Sequence, residues 1–163
     1  MIFLPEVKTY NRRKAVQYAE KWAYSRNPAY YDFSDLGGDC TNFISQCVYA
    51  GSGVMNYTPE TGWYYRSLND RAPAWTGVPY FYTFFVRNRS RGPFAIETGP
   101  EEMEPGDVIQ LGNDERFYHT LLVTDVQRGR IFVAAHSFNA FMRPLDSYVF
   151  DRVRYLHIAG VYV

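Results

Sequence analysis

Gly37-Gly38-Asp39-Cys40-Thr41-Asn42-Phe43-Ile44-Ser45-Gln46-Cys47 sets a cysteine directly behind two glycines and an acidic residue, at the point where an apolar period begins. Phe43, Ile44, Cys47 and Val48 recur at helical spacing, so a helix with one buried stripe is expected to start at Cys40 and close at Gly51. A thiol in that place meets the positive end of the helix dipole and unpaired first-turn N–H groups, which favour thiolate and lower its pKa. The same N–H groups can hold an oxyanion. Asp39 reads as the helix cap, its carboxylate bonded to first-turn N–H groups; touching the thiol it would raise the sulfur's pKa, which argues against a catalytic role. Cys47 fits the core stripe, and two helical turns part the sulfurs by about 10 Å, too far for a disulfide. The expectation is two free thiols, one inert and one active. The bland alternative makes Cys40 a small buried apolar residue as well.

Outward from this helix, Ala15, Tyr18, Ala19 and Trp22 mark another one over residues 11–26, ended by Asn27-Pro28. A polar, aromatic-rich stretch runs from about 52 to 72. Pro73 opens a third helix through Trp75, Tyr82 and Phe85, and 91–104, with its glycine, proline and glutamates, reads as a loop. From Pro105 the period becomes two-fold, giving strands near 108–111, 119–126, 130–137 and 154–163. Helices first and strands later indicate one α+β domain over 1–163, its N-terminal helices packed on an antiparallel sheet.

The 163 residues suffice for a core without a disulfide or metal staple. Seventeen Lys+Arg against 17 Asp+Glu give no electrostatic case for nucleic acid or an anionic membrane. No apolar run approaches a membrane span, and the start Met-Ile-Phe-Leu-Pro-Glu lacks the basic and long apolar regions of a signal peptide. The chain is expected to be soluble and monomeric, with its compartment left open. Aromatic residues make up 18%, so some rings are expected at a groove; Tyr30, Tyr31, Trp63, Tyr64 and Trp75 are the candidates, although most rings in such numbers are core.

Of three histidines, one is needed as a base. His119 opens the strand His-Thr-Leu-Leu-Val-Thr-Asp-Val, where an imidazole at a sheet edge could take a thiol's proton near neutral pH. The alternative is a half-buried histidine satisfied by a carbonyl. If Arg128-Gly129 is a two-residue hairpin loop, Gln127 faces Arg130 and the unbroken ladder sets residue 121 opposite 136. His119 and His136 then share a face as diagonal neighbours at about 7–8 Å, and His136 can fix the base's tautomer. A bulge would reverse this. Asn139 is the alternative third member, its amide oxygen serving the same purpose. His157 is given no role. The spacings contain no Cys-x-x-Cys or His-x-x-x-His pair, so no metal is expected and no cofactor is implied.

Asn27-Pro28-Ala29-Tyr30, Gly38-Asp39-Cys40-Thr41-Asn42-Phe43-Ile44-Ser45-Gln46-Cys47, Pro105-Gly106-Asp107-Val108-Ile109-Gln110 and His119 together resemble the bacterial putative amidase domain, which is grouped with the papain-like NlpC-type and CHAP-type cell-wall enzymes. The likeness spans residues 10 to 163. It implies a papain-like fold and hydrolysis of amide bonds in peptidoglycan stem peptides, or between stem and sugar. Cys40 would be the nucleophile, His119 the base and His136 or Asn139 the third residue, with the backbone N–H of Cys40 holding the oxyanion. Attack would form a thioester acyl-enzyme that water then hydrolyses. Acyl transfer or thioester hydrolysis on the same fold, and a binding module without turnover, are the alternatives.

Overall fold

A computed structural model describes residues 5–163; Met1–Leu4, on which part of the signal-peptide reading falls, lie outside the described residues. The elements in order are β1 (Val7–Lys8), α1 (Arg12–Trp22), α2 (Cys40–Ser52), β2 (Tyr65–Ser67), β3 (Asp70–Arg71), α3 (Pro73–Thr76), α4 (Val78–Arg87), β4 (Gly92–Thr98), β5 (Val108–Gly112), β6 (Phe117–Gln127), β7 (Arg130–Ala135), β8 (Ala140–Pro144) and β9 (Arg152–Tyr162). The α+β class with an antiparallel sheet is as expected. Strand β9 pairs with β4 along one side, and with β5 and then β1 along the other; β6, β7 and β8 follow beyond β5.

Helix α1 starts where Asn11 accepts a hydrogen bond from the Lys14 N–H, and it ends four residues earlier than the periodicity predicts. Helix α2 runs through Gly51 and stops at Gly53, whose φ of +66° supplies the left-handed turn that closes it. Gly51 serves another purpose: its carbonyl accepts the Asn11 N–H at 2.9 Å, and a Cβ there would lie 2.5 Å from the Tyr10 ring. The predicted third helix is two helices, because Gly77 adopts an extended backbone and Pro79 restarts the chain just after it. The predicted loop at 91–104 contains β4, paired over its whole length with β9. Its opening Gly92-Pro93 masks the strand, and a proline is tolerated there because β4 is an edge.

The sheet has a core on each face. Val108, Leu122, Ala134, Leu156 and Ile158 meet Phe43, Ile44, Val48, Phe81 and Phe85 of the helices. Ile109, Leu111, Leu121, Val123, Val133 and Ala135 face the other way, under Met103 and Leu145 with Tyr148 and Phe150 packed alongside. Each fully buried side chain of this size contributes about 1.5–3 kcal/mol, so both faces hold the sheet.

One irregularity governs where the histidines point. The hairpin pairs Gln127 with Arg130 and Asp125 with Phe132 as expected, but a bulge at Thr124 then shifts the ladder, so that Val123 faces Val133 and Leu122 faces Ala134. Position 120, not 121, therefore comes opposite 136. His136 shares the α2 face with Thr120, while His119 shares the opposite face with Leu111, Leu121 and Val123.

Candidate active site

Cys40 opens α2 as the sequence predicts, half-buried, with Sγ 3.7 Å from Thr41 Oγ1 and 4.0 Å from the Tyr118 carbonyl oxygen. Thr41 and Thr120 share a hydrogen bond of 2.8 Å between their hydroxyls, which fixes the first turn of α2 to β6. The sulfur faces a groove of about 520 Å³. Gly37-Gly38, Thr76–Pro79 and Glu115–Tyr118 form its walls, and Arg152 and Arg154 complete it. Burial pushes the Cys40 thiol up; the Thr120 N–H and the Thr41 hydroxyl and N–H pull it down by less, and the Asp39 charge adds slightly to the rise. The expected depression of this pKa is thus reversed, because desolvation outweighs a helix terminus whose field is weak beside it. Cys47 is fully buried and its thiol is pushed well up, as an inert core residue.

Asp39 takes the N-cap position of α2 as expected, its carbonyl accepting the Phe43 N–H, but its carboxylate makes no bond to a first-turn N–H. Its Oδ1 accepts from the Phe33 N–H at 2.8 Å and the Asn42 side-chain amide at 2.9 Å, and its Oδ2 accepts from His136 Nδ1 at 2.6 Å. His136 is buried, stacked on Phe43 at 3.7 Å between ring centroids, with Nε2 2.9 Å from the Trp22 carbonyl oxygen and 3.2 Å from Arg26 Nη1. This histidine therefore locks the end of α1 to the start of α2, with Asp39 as the joint. Asn139 reaches the same cluster from outside, its Oδ1 accepting from Arg26 Nη2 at 3.4 Å.

His119 is not in that cluster. Its ring lies 6.0 Å from the Tyr148 ring, and burial with the nearby Arg143 charge holds its pKa down to about 4. The expected approach of this imidazole to Cys40 and its diagonal contact with His136 are both overturned by the register: successive residues of a strand point to opposite faces, and Thr120 has taken the α2 face. The sulfur meets the backbone on either side of His119, touching the Tyr118 carbonyl and taking the Thr120 N–H.

A family profile described as "Putative amidase domain" matches residues 9–159. The chain belongs to the putative amidase domain family. Among similar proteins of Bacillus subtilis (strain 168), "Uncharacterized protein YhbB" is 39% identical over 140 residues, covering 82% of this chain and 43% of the relative. "Uncharacterized protein YjcM" is 26% identical over 149 residues, covering 86% and 34%. The chain thus spans less than half the length of these relatives. No solved structure matches it.

Of the rings expected to line a groove, Trp63 and Trp75 are fully buried, bonded through their indole N–H groups to Ser45 and Asn42, and Tyr64 is buried too. These three are core residues by volume. Tyr30 stacks on Trp75 at 6.0 Å and is half-buried, and Tyr31 is exposed but lies outside the groove walls. The aromatic lining comes instead from Phe117 and Tyr118, which the strand reading passed over because β6 was expected to begin at His119.

Among the described residues one group could hold a metal: Glu104, Asp107 and His157. Arg12 already occupies it, donating to Asp107 Oδ1 at 2.8 Å, while Asp107 Oδ2 takes the Glu104 N–H and His157. A cation there would meet a guanidinium, so the cluster reads as a clamp between α1, the Pro-Gly-Asp turn and β9. Among the described residues no helix is long and apolar enough to cross a membrane.

Proposed function

We propose that this domain is a papain-like cysteine amidase that cleaves amide bonds in peptidoglycan peptides through Cys40. The observation that carries the reading is a cysteine at the first position of a helix, facing a groove, in a chain of the amidase family. The papain-like relation is supported by the same layout, a nucleophile at a helix start packed against an antiparallel sheet. The cell-wall substrate rests on the resemblance of the Gly-Asp-Cys-Thr-Asn-Phe block to wall-degrading relatives.

In this reading Sγ attacks the amide carbonyl and the oxyanion accepts the Cys40 N–H. The amine leaves with a proton, and water cleaves the thioester. The proton acceptor in this reading is His119, and because its ring lies beside Tyr148 on the face of β6 away from α2, the step requires the start of β6 to turn it over. The ladder is already irregular between Phe117 and His119, and displacing that irregularity by one residue turns the imidazole to the α2 face. His136 positions the nucleophile through Asp39 and takes no proton from it.

Incubation with purified peptidoglycan fragments and mass analysis of the products tests this: new amine and carboxyl ends are expected. Cys40→Ala and His119→Ala should abolish them, and a chelator should leave them unchanged. Turnover by Cys40→Ala overturns the mechanism. A second reading, a binding module with no turnover, is favoured by the position of His119; fragments bound but uncut by the wild type establish it. Acyl transfer to an apolar substrate fits less well, because arginines and Glu115 line the groove.

A further inference from the structure

Arg154 lines the same groove as Cys40 and differs in setting from the arginines that are paired with carboxylates. Arg12, Arg26, Arg66 and Arg130 each lie within 4.0 Å of a carboxylate. Arg116, Arg152 and Arg154, which line the groove, have none among the described residues. Arg154 is nonetheless held firmly. Its Nε and Nη2 donate to Gln110 Oε1 at 2.8 and 2.6 Å, and its plane sits over the rings of Tyr82 and Phe117 at 3.6 and 3.8 Å. Gln110 is itself fully buried and donates to the Val78 carbonyl and Thr120 Oγ1, so the clasp continues through Thr120 to Thr41 beside the sulfur.

A partly buried guanidinium answered by a neutral amide has lost water without gaining a counter-charge. Its side edge is spent on Gln110. The outer edge, with both hydrogens of Nη1 and the second of Nη2, remains as a planar fork. Glu97 is the acidic group whose charge acts on it, and its carboxylate accepts from the hydroxyl of Tyr82; Glu115 lies in the groove wall. Neither closes an ion pair with it.

We propose that Arg154, assisted by Arg152 and Arg116, forms a subsite for a carboxylate on a peptide bound over Cys40. This deepens the proposed function, resting on the groove being where substrate lies. It narrows the substrate class to peptides bearing an acidic side chain or a free C-terminal carboxylate next to the scissile amide. The clasp by Gln110 and the stacked rings orient the fork in advance, so binding orders little further.

Alkylation of Cys40 tests the subsite without requiring turnover, so failure of catalysis and failure of this inference give different results. Rates with anionic iodoacetate and neutral iodoacetamide are compared on the whole chain, read by mass spectrometry at Cys40. The ratio is expected to exceed that for 2-mercaptoethanol by about tenfold, a charge-assisted bidentate contact's worth. Arg154→Gln should bring it to within about twofold of the small thiol, Arg154→Lys should retain part of it, and Arg66→Gln, at the exposed β2–β3 hairpin, should retain all of it. A ratio equal to that of the small thiol, or one equal in wild type, Arg154→Lys and Arg154→Gln, overturns the inference. Protection of Cys40 from iodoacetamide by Ac-Ala-Glu-Ala-NH2 or by Ac-Ala-Ala-Ala-OH identifies the source of the carboxylate. If neither protects better than Ac-Ala-Ala-Ala-NH2, the inference fails.

Discussion

The chemistry of this chain is concentrated in two adjoining residues that behave in opposite ways. Asp39 is fully buried and fully bonded, and Cys40 is half-buried and faces the groove. His119, one strand position from the Thr120 that anchors α2, is held neutral by burial. Its folded pKa of about 4 lies below the ordinary 6.5, so the unfolded chain binds the proton more readily. Stability is therefore expected to be full above pH 6.5 and to fall as pH drops toward 4, by up to about 3 kcal/mol. Urea unfolding of wild type and His119→Leu across that range checks this: the slope between pH 6.5 and 4 should flatten in the variant. An unchanged slope would show that His119 is not the group responsible.

At the scale of elements, α2 is set by contacts at both ends. Its start is tied to β6 by Thr41 and Thr120, and its last turn presses Gly51 against Tyr10 and Asn11. Replacing a mid-helix glycine by alanine ordinarily stabilises by about 0.5–1 kcal/mol. Here Gly51→Ala is expected to destabilise by about 1–3 kcal/mol, since the new methyl meets the Asn11 carbonyl at 2.7 Å and an aromatic ring. Thermal unfolding reads the sign directly, and a rise in Tm would mean that the α1 entry is free to move aside. The apolar stripe and the helical start at Cys40 were legible in sequence because they are local. The split at Gly77 and the strand at 92–98 were not, because one depends on a single backbone conformation and the other on a partner about sixty residues away.

For the whole molecule, β9 is the organising strand. It binds β4, β5 and β1, and its residues enter both cores. Asp107 ties it to α1 and the turn before β5, accepting from Arg12 and the Ile158 N–H at 2.8 Å each. Removing residues 152–163 is expected to abolish cooperative unfolding, leaving β4 and β1 without partners and opening both cores. Far- and near-UV circular dichroism during a urea titration measures it; a sigmoidal near-UV transition in the truncated chain would place the folding unit elsewhere.

Composition, periodicity and the cysteine block determined by themselves the α+β class, the helix that carries Cys40 and membership of the amidase family, since each depends on near neighbours in the chain. The tertiary structure alone decided which histidine meets that helix. A single extra residue at Thr124 shifts the β6–β7 ladder, turns His136 toward Asp39, and leaves His119 on the far face. A strand's two faces differ by one residue of register, and the pattern of apolar residues along one strand does not say where its partner slips.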